Sequence, residues 1–349
     1  MATTEQPRIL LIYTGGTIGM IENPETGMLE PFDFTHLIDN VPKIKLLNYV
    51  IDNISFDPPI DSSNINPAHW VDIARAIEEN YARYDGFVVL HGTDTMAYTA
   101  SALSFMLENM CKPVIITGSQ LPIGEVRTDG EENLITAVQI AAARTRSGEP
   151  MVQEVAILFE NYLWRGNRAT KRSADNFNAF KSHNYPELAK IGLGINFHEE
   201  ALLRHTHGAD KPLRVNYSLD TSVMVLDLFP GIDSRTLRHQ LATPGIKGVV
   251  LKTYGAGNAP TADWFISAVR DAVRRGITVL NVTQCVNGSV MKRYAAGDAL
   301  ASAGVLSGYD ITTEAALTKL MILLGAGLEG VELHKALGRS LRGEMSVNN

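Results

Sequence analysis

At 349 residues the chain is long enough for two domains, and with 45% hydrophobic and 20% charged residues it has an ordinary globular composition that excludes a disordered protein. Lys and Arg number 31 against 38 Asp and Glu, a net charge of −7 that argues against general binding to nucleic acid or an anionic membrane. Two distant cysteines, Cys111 and Cys285, form no CxxC and make a disulfide scaffold or a cysteine-zinc site an unfavourable reading, as expected in a reducing compartment. In chain order, the run Ile9 to Ile12 is too short for a signal-peptide core, and later apolar stretches are broken by Gly, Thr or charge. The expected location is therefore the cytoplasm.

Arg8 to Tyr13 reads as a strand that is apolar on both parities, as parallel strands covered on both faces are. Phe87 to Leu90, Val114 to Thr117 and Val155 to Phe159 repeat the pattern. Asn66-Pro67 starts a helix, a capping side chain followed by proline in the first turn, and Trp70, Ile73, Ala74, Ile77 and Tyr81 give it one apolar face. Further helices are expected at Thr99 to Met110 and Leu134 to Ala143. Residues 198–215 are polar and closed by Gly208 and Pro212, and read as an interdomain linker. Strands then return at Val223 to Leu228, Val249 to Thr253 and Thr278 to Val282, with helices at Ala262 to Arg274 and Thr313 to Leu324. The expected fold is α/β: a larger N-terminal domain (residues 1–197) with a parallel sheet and helices on both faces, and a smaller C-terminal α/β domain (residues 216–349).

Three polar clusters follow strands, where open α/β sheets place their ligands. Thr14 to Gly19 (TGGTIG) follows the first strand; its glycines permit a sharp turn and close ligand approach, but it matches neither a dinucleotide fingerprint nor a P-loop. His91 to Met96 (HGTDTM) follows Phe87 to Leu90; capping the next helix would explain one of Thr93, Asp94 and Thr95 and leave the others unexplained. Arg165 to Lys171 follows Val155 to Phe159 and is either a solvated basic loop or the carrier of a lysine base. His198-Glu199-Glu200 begins like a zinc-binding helix, but Leu202 stands where the second histidine is required. His205 and His207 read as solvated, Asp57 to Asn64 as a turn, and no G-x-S-x-G elbow occurs.

Taken in order, TGGTIG, HGTDTM and R-G-N-R-x-T-K resemble the bacterial L-asparaginases, most closely the cytoplasmic type I branch. DSSN at Asp61 to Asn64, TGSQLP at Thr117 to Pro122, TYGAGNAP at Thr253 to Pro260 and NVTQCVNGSV at Asn281 to Val290 extend the resemblance over nearly the whole chain. The resemblance implies Thr17 as nucleophile, Thr93, Asp94 and Lys171 as a second catalytic group, and Asp94 as holder of the substrate ammonium. It also implies Ser62, with Ser63 beside it, as the site for the substrate carboxylate. Met28 stands where many relatives carry a loop tyrosine, which shifts the role of proton acceptor toward Lys171, a backbone group or water.

The implied activity is hydrolysis of L-asparagine to L-aspartate and ammonia through a threonine ester, with Thr93 or water as other possible attackers. No metal, nucleotide or flavin is implied. Threonine needs a base to remove its proton, and lysine serves only when neutral, a form that burial favours and a neighbouring carboxylate opposes. One methylene separates asparagine from glutamine, a difference of about 1–3 kcal/mol, so some glutaminase activity is expected. His91, at a strand end, reads as structural. A homodimer or a dimer of dimers is implied, with TYGAGNAP reaching a neighbouring site and a second asparagine site near Thr170 and Cys285. The rivals are an asparaginase-like glutaminase component of a tRNA-dependent amidotransferase and a non-catalytic amino-acid-binding regulator.

Overall fold

The computed structural model describes residues 6–22, 26–27, 29–31, 41–204, 211–291 and 295–347. Met28, His205 and His207 lie outside the described residues. The chain divides into two compact units, one of Met1–Ser182 with Pro186–Tyr217 and one of His183–Tyr185 with Ser218–Asn349.

In the first unit an eight-stranded sheet has the order 195–197, 189–191, 162–165, 155–159, 114–117, 86–90, 8–13, 50–55. The five strands from 155–159 to 50–55 run parallel. Gly86–Leu90, Val114–Thr117 and Val155–Phe159 are buried throughout, as their unbroken apolar runs require under cover on both faces. The sheet is mostly parallel, as expected, with antiparallel strands at one edge. After Val155–Phe159 the chain turns at Glu160, whose φ is 54° and whose N–H is held by the Asn133 amide oxygen at 3.0 Å. It returns antiparallel as Tyr162–Arg165, and the hairpin Ala189–Ile191 and Ile195–Phe197 completes the edge.

The helix Pro67–Asn80 begins as its sequence demands. The Asn66 side chain accepts from the Ala68 N–H, and the His69 ring accepts from the Asn66 N–H. Its Trp70, Ile73, Ala74 and Ile77 are buried, while Tyr81 falls at the C-cap instead of on the helix. The next helix, Met96–Met106, starts before the expected Thr99. Nearly every residue of it is buried, so no amphipathic stripe marks its first turn. A third helix spans Gly130–Ala142.

Of the segment 198–215, expected as a linker, the described residues 198–204 and 211–215 group with the first unit, and Arg214–Val215 pairs antiparallel with Leu107–Glu108. Backbone pairing at an edge requires no apolar side chains, so polarity alone misleads here. In the second unit Val223–Asp227, Gly248–Thr253, Thr278–Thr283 and Leu306–Ser307 form a parallel sheet in that order. Leu226, Val249, Phe265, Val269 and Val279 belong to its core. Helix Thr313–Gly325 carries the buried Lys319, paired with the buried Glu344 at 2.7 Å. Among the described residues no helix is long and apolar enough to cross a membrane.

Candidate active site

The parallel strands of the first unit lie in the order 50–55, 8–13, 86–90, 114–117, 155–159. From 8–13 the main sheet continues to one side, at 50–55, and from there crosses to the other, at 86–90. This is a topological switch point, and open α/β sheets bind ligands where segments such as those leaving the carboxyl ends of 8–13 and 86–90 diverge. Those segments are Thr14 to Gly19 and His91 to Asp94.

Glycines let these segments meet. Gly16 has φ 91°, and a Cβ on it would lie 2.5 Å from the Gly92 nitrogen. Thr17 and Thr93 each directly follow one glycine of this contact. A Cβ on Gly92 would in turn lie 2.5 Å from the Ser62 Oγ, so the Asp61 to Asn64 segment closes on the same point. Thr14 donates its hydroxyl to the Leu90 carbonyl at 2.9 Å, and the Ile60 N–H donates to the Thr14 carbonyl at 2.7 Å. Tyr13 fixes the far end of the first loop by donating to the Gly19 carbonyl at 3.1 Å, and burial pushes its phenol up to about 12.

Lys171 closes the constellation. Its Nζ donates to the Thr93 Oγ1 at 2.8 Å and to the Asp94 Oδ1 at 2.6 Å. The lysine is mostly covered, with 17% of its side chain exposed, whereas Asp94 is open to solvent at 65%. The carboxylate thus holds the amine with one oxygen while remaining accessible to an incoming cation. Lys171 ends the short strand Ala169–Lys171, reached through the turn Gly166–Arg168 and paired with Phe180–Ser182. The preceding basic residues are not a solvated loop: Arg165 and Arg168 are buried, and Arg165 is paired with Glu154 at 2.6 Å.

Of the two candidate serines, Ser62 is buried beside Gly92 and Ser63 is exposed, its N–H donated to the Asp61 side chain. His91 is fully buried and bonded at both ring nitrogens. Its Nδ1 lies 2.6 Å from the Gly92 carbonyl, which can only accept, so Nδ1 carries the hydrogen. Its Nε2 then accepts from Thr99 at 2.8 Å, and Thr99 accepts from the Trp70 indole at 3.0 Å. Burial lowers the His91 pKa to about 4, against the pull of the Gly92 carbonyl, so the ring is neutral and occupied with structure.

Gln120 lies within TGSQLP, and sequence reasoning assigns it no role. Its Nε2 donates to the carbonyls of Ala174 and Asn176 at 3.2 and 3.0 Å, which turns its oxygen toward Thr93. Thr93 donates to that oxygen at 3.3 Å. Asp129 braces the segment by accepting the N–H groups of Gln120 and Leu121. Burial raises the Asp129 pKa despite these bonds. The signal that could have found Gln120 is its position just past the strand Val114–Thr117, the same strand-end logic that singles out the other clusters. Among the described residues no group of three or more His, Cys, Asp or Glu is placed to hold a metal ion. In the second unit the TYGAGNAP segment leaves strand Gly248–Thr253 as a tight turn, with Tyr254 and Asn258 exchanging backbone bonds of 2.9 and 2.8 Å.

Known proteins resemble this chain over nearly its whole length. Residues 8–203 match the family described as Asparaginase, N-terminal, and residues 222–337 match the Glutaminase/Asparaginase C-terminal domain. The chain is 42% identical to L-asparaginase 1 of Escherichia coli over 350 aligned positions, covering 99% of this chain and 100% of that one. The crystal structure of L-asparaginase I from Vibrio cholerae superposes with a TM-score of 0.89 at 40% identity, covering 98% of this chain and 99% of that one. A glutamyl-tRNA(Gln) amidotransferase component from Methanobrevibacter smithii is 34% identical, covering 97% of this chain and 77% of that one.

Proposed function

Because the chain belongs to the asparaginase family and is an amidohydrolase, we propose that it hydrolyses L-asparagine to L-aspartate and ammonia with Thr17 as nucleophile. The observation that carries the site assignment is the contact of Lys171 with both Thr93 and Asp94, beside the Gly16–Gly92 contact that both threonines follow.

In this reading the exposed Asp94 carboxylate receives the substrate ammonium and the buried Ser62, with Ser63 at the entrance, receives the α-carboxylate. The arriving ammonium cancels part of the pull of Asp94 on Lys171, which favours the neutral amine. The neutral amine then takes the proton of the attacking hydroxyl by way of Thr93, which it touches directly. The Thr17 oxygen bonds to the side-chain carbonyl carbon while backbone N–H groups of the glycine loops hold the developing oxyanion. The carbon–nitrogen bond breaks, and the proton held by Lys171 leaves with ammonia. Water activated at the Thr93–Lys171 pair cleaves the resulting β-aspartyl ester, releasing aspartate and restoring the threonine.

A homodimer or a dimer of dimers, in the cytoplasm and without nucleic acid, completes the proposal. The amidotransferase reading has less support, because that relative is matched at lower identity and only over part of its length. Two measurements test the function. Purified protein should release ammonia from asparagine faster than from glutamine, and protein quenched during turnover should carry an aspartyl adduct on Thr17 by mass spectrometry. Release from neither amide would leave a binding protein in its place, and an adduct on Thr93 would reverse the roles of the two threonines.

A further inference from the structure

The parallel sheet of the first unit also gathers charge at the ends of its strands opposite the catalytic loops. A cleft of about 930 Å³ is lined there by Arg8, Arg83, Lys112 and Arg144, with Asp85 as the one carboxylate among its described lining residues. Arg8 opens the strand Arg8–Tyr13, Asp85 precedes Gly86–Leu90, and Lys112 precedes Val114–Thr117. In a chain of net charge −7 this local excess of cations runs against the overall balance.

The cations are held in place by neutral groups as well as by carboxylates. Lys112 Nζ donates to the carbonyls of Tyr81 and Tyr84 at 2.5 and 2.7 Å and lies 5.0 Å from the Tyr81 ring centre. The guanidinium groups of Arg8 and Arg83 stand 5.4 and 5.5 Å from the Tyr84 ring centre. Among the described residues Arg83 otherwise reaches only the Asn80 amide oxygen, at 3.4 Å. Asp85 is engaged by Arg144 at 2.6 Å and by the Arg8 N–H at 2.8 Å. Arg8 also meets Asp52 at 3.3 Å. Lys112 and Arg83 therefore have no carboxylate within ion-pair distance among the described residues. Burial lowers the Lys112 pKa, with Asp85 opposing this and Arg144 adding to it.

We propose that this cleft binds a small, multiply charged phosphate anion, with Lys112 supplying a fixed point charge and the arginines their planar donor forks. Guanidinium groups match phosphate oxygens in pairs, and donors held by ring faces and carbonyls lose little freedom when a ligand arrives. The volume admits either a free inorganic anion or a phosphate borne by a nucleotide. The site is separate from the hydrolytic one, because strands of five or six residues hold their two ends about 17–20 Å apart.

Titration calorimetry on the whole protein at low ionic strength tests this with pyrophosphate and AMP as separate probes and adenosine as a phosphate-free control. Saturable binding of pyrophosphate or AMP is expected, weakened by added salt and by about tenfold in Arg83→Glu, with asparagine hydrolysis unchanged in that variant. Arg83 is exposed, so this substitution leaves the fold intact. Lys112→Met should weaken the same probe. Tighter binding of AMP than of pyrophosphate assigns the phosphate to a nucleotide, and the reverse order assigns it to a free anion. The proposal is overturned by adenosine binding as well as AMP, by no saturable binding of either anion, or by an affinity that neither substitution changes.

Discussion

Lys171 is the residue on which the proposed chemistry turns, since its amine touches both the hydroxyl of Thr93 and the carboxylate of Asp94. Lys171→Met keeps the length of the side chain and removes its base, and should lower kcat about 10³-fold in a steady-state ammonia assay, with no recovery at raised pH. His91 makes a different prediction, about stability. Its folded pKa of about 4 lies below the ordinary 6.5, so the unfolded chain takes up the proton first as the pH falls. The neutral ring therefore favours the fold above about pH 6.5, and that contribution is lost between 6.5 and 4, by about 3 kcal/mol in all. Denaturant unfolding of the protein and of His91→Gln should show the variant gaining relative stability as the pH drops through this window. A difference independent of pH would mean that the buried ring is not held neutral. At this scale the strand-end clusters that hold Thr93, Asp94 and Lys171 were legible as polar groups beyond what helix capping requires, and the coordinates bring those three side chains together; their roles, and that of Thr17, came from the resemblance. Gln120 was not legible, because an amide in a loop has many ordinary uses and only coordinates show its oxygen beside Thr93.

The elements converge on the site through backbone contact, which makes Gly92 the sensitive position. A Cβ there would press on the Ser62 side chain, at 2.5 Å from Oγ and 2.7 Å from Cβ. Gly92→Ala should cost roughly 10²-fold in kcat/KM, the order expected when reacting groups move by about 1 Å, while the far-ultraviolet circular dichroism stays unchanged. Wild-type kinetics in that variant would show that the contact has slack. Central strands were legible from apolar residues on both parities, and the helix Pro67–Asn80 from its Asn-Pro start. The antiparallel edge was hidden because the residues before Lys171 carry arginines that composition assigns to solvent. In the fold Arg165 is instead buried against Glu154 at 2.6 Å, an arrangement that depends on a partner elsewhere in the chain.

At the scale of the whole chain, alternation of strands and helices announced two α/β units, and polarity suggested a linker over residues 198–215, whose described end, Arg214–Val215, pairs with Leu107–Glu108. The second of these units holds a buried ion pair. Lys319 and Glu344 pair at side-chain exposures of 1% and 0%, and the carboxylate also accepts the N–H groups of Leu341 and Arg342. Lys319→Met leaves that carboxylate buried without its cation and should destabilise by about 3–5 kcal/mol in thermal or denaturant unfolding. Replacing both members by methionine should recover much of the loss, and a single variant as stable as the parent would refute the account. In the first unit, the bond from Lys171 to Thr93 spans 78 positions of sequence, and three further stretches must arrive at the same place. On the proposed site, activity during refolding should therefore lag behind recovery of secondary structure, because its contacts join stretches far apart in sequence.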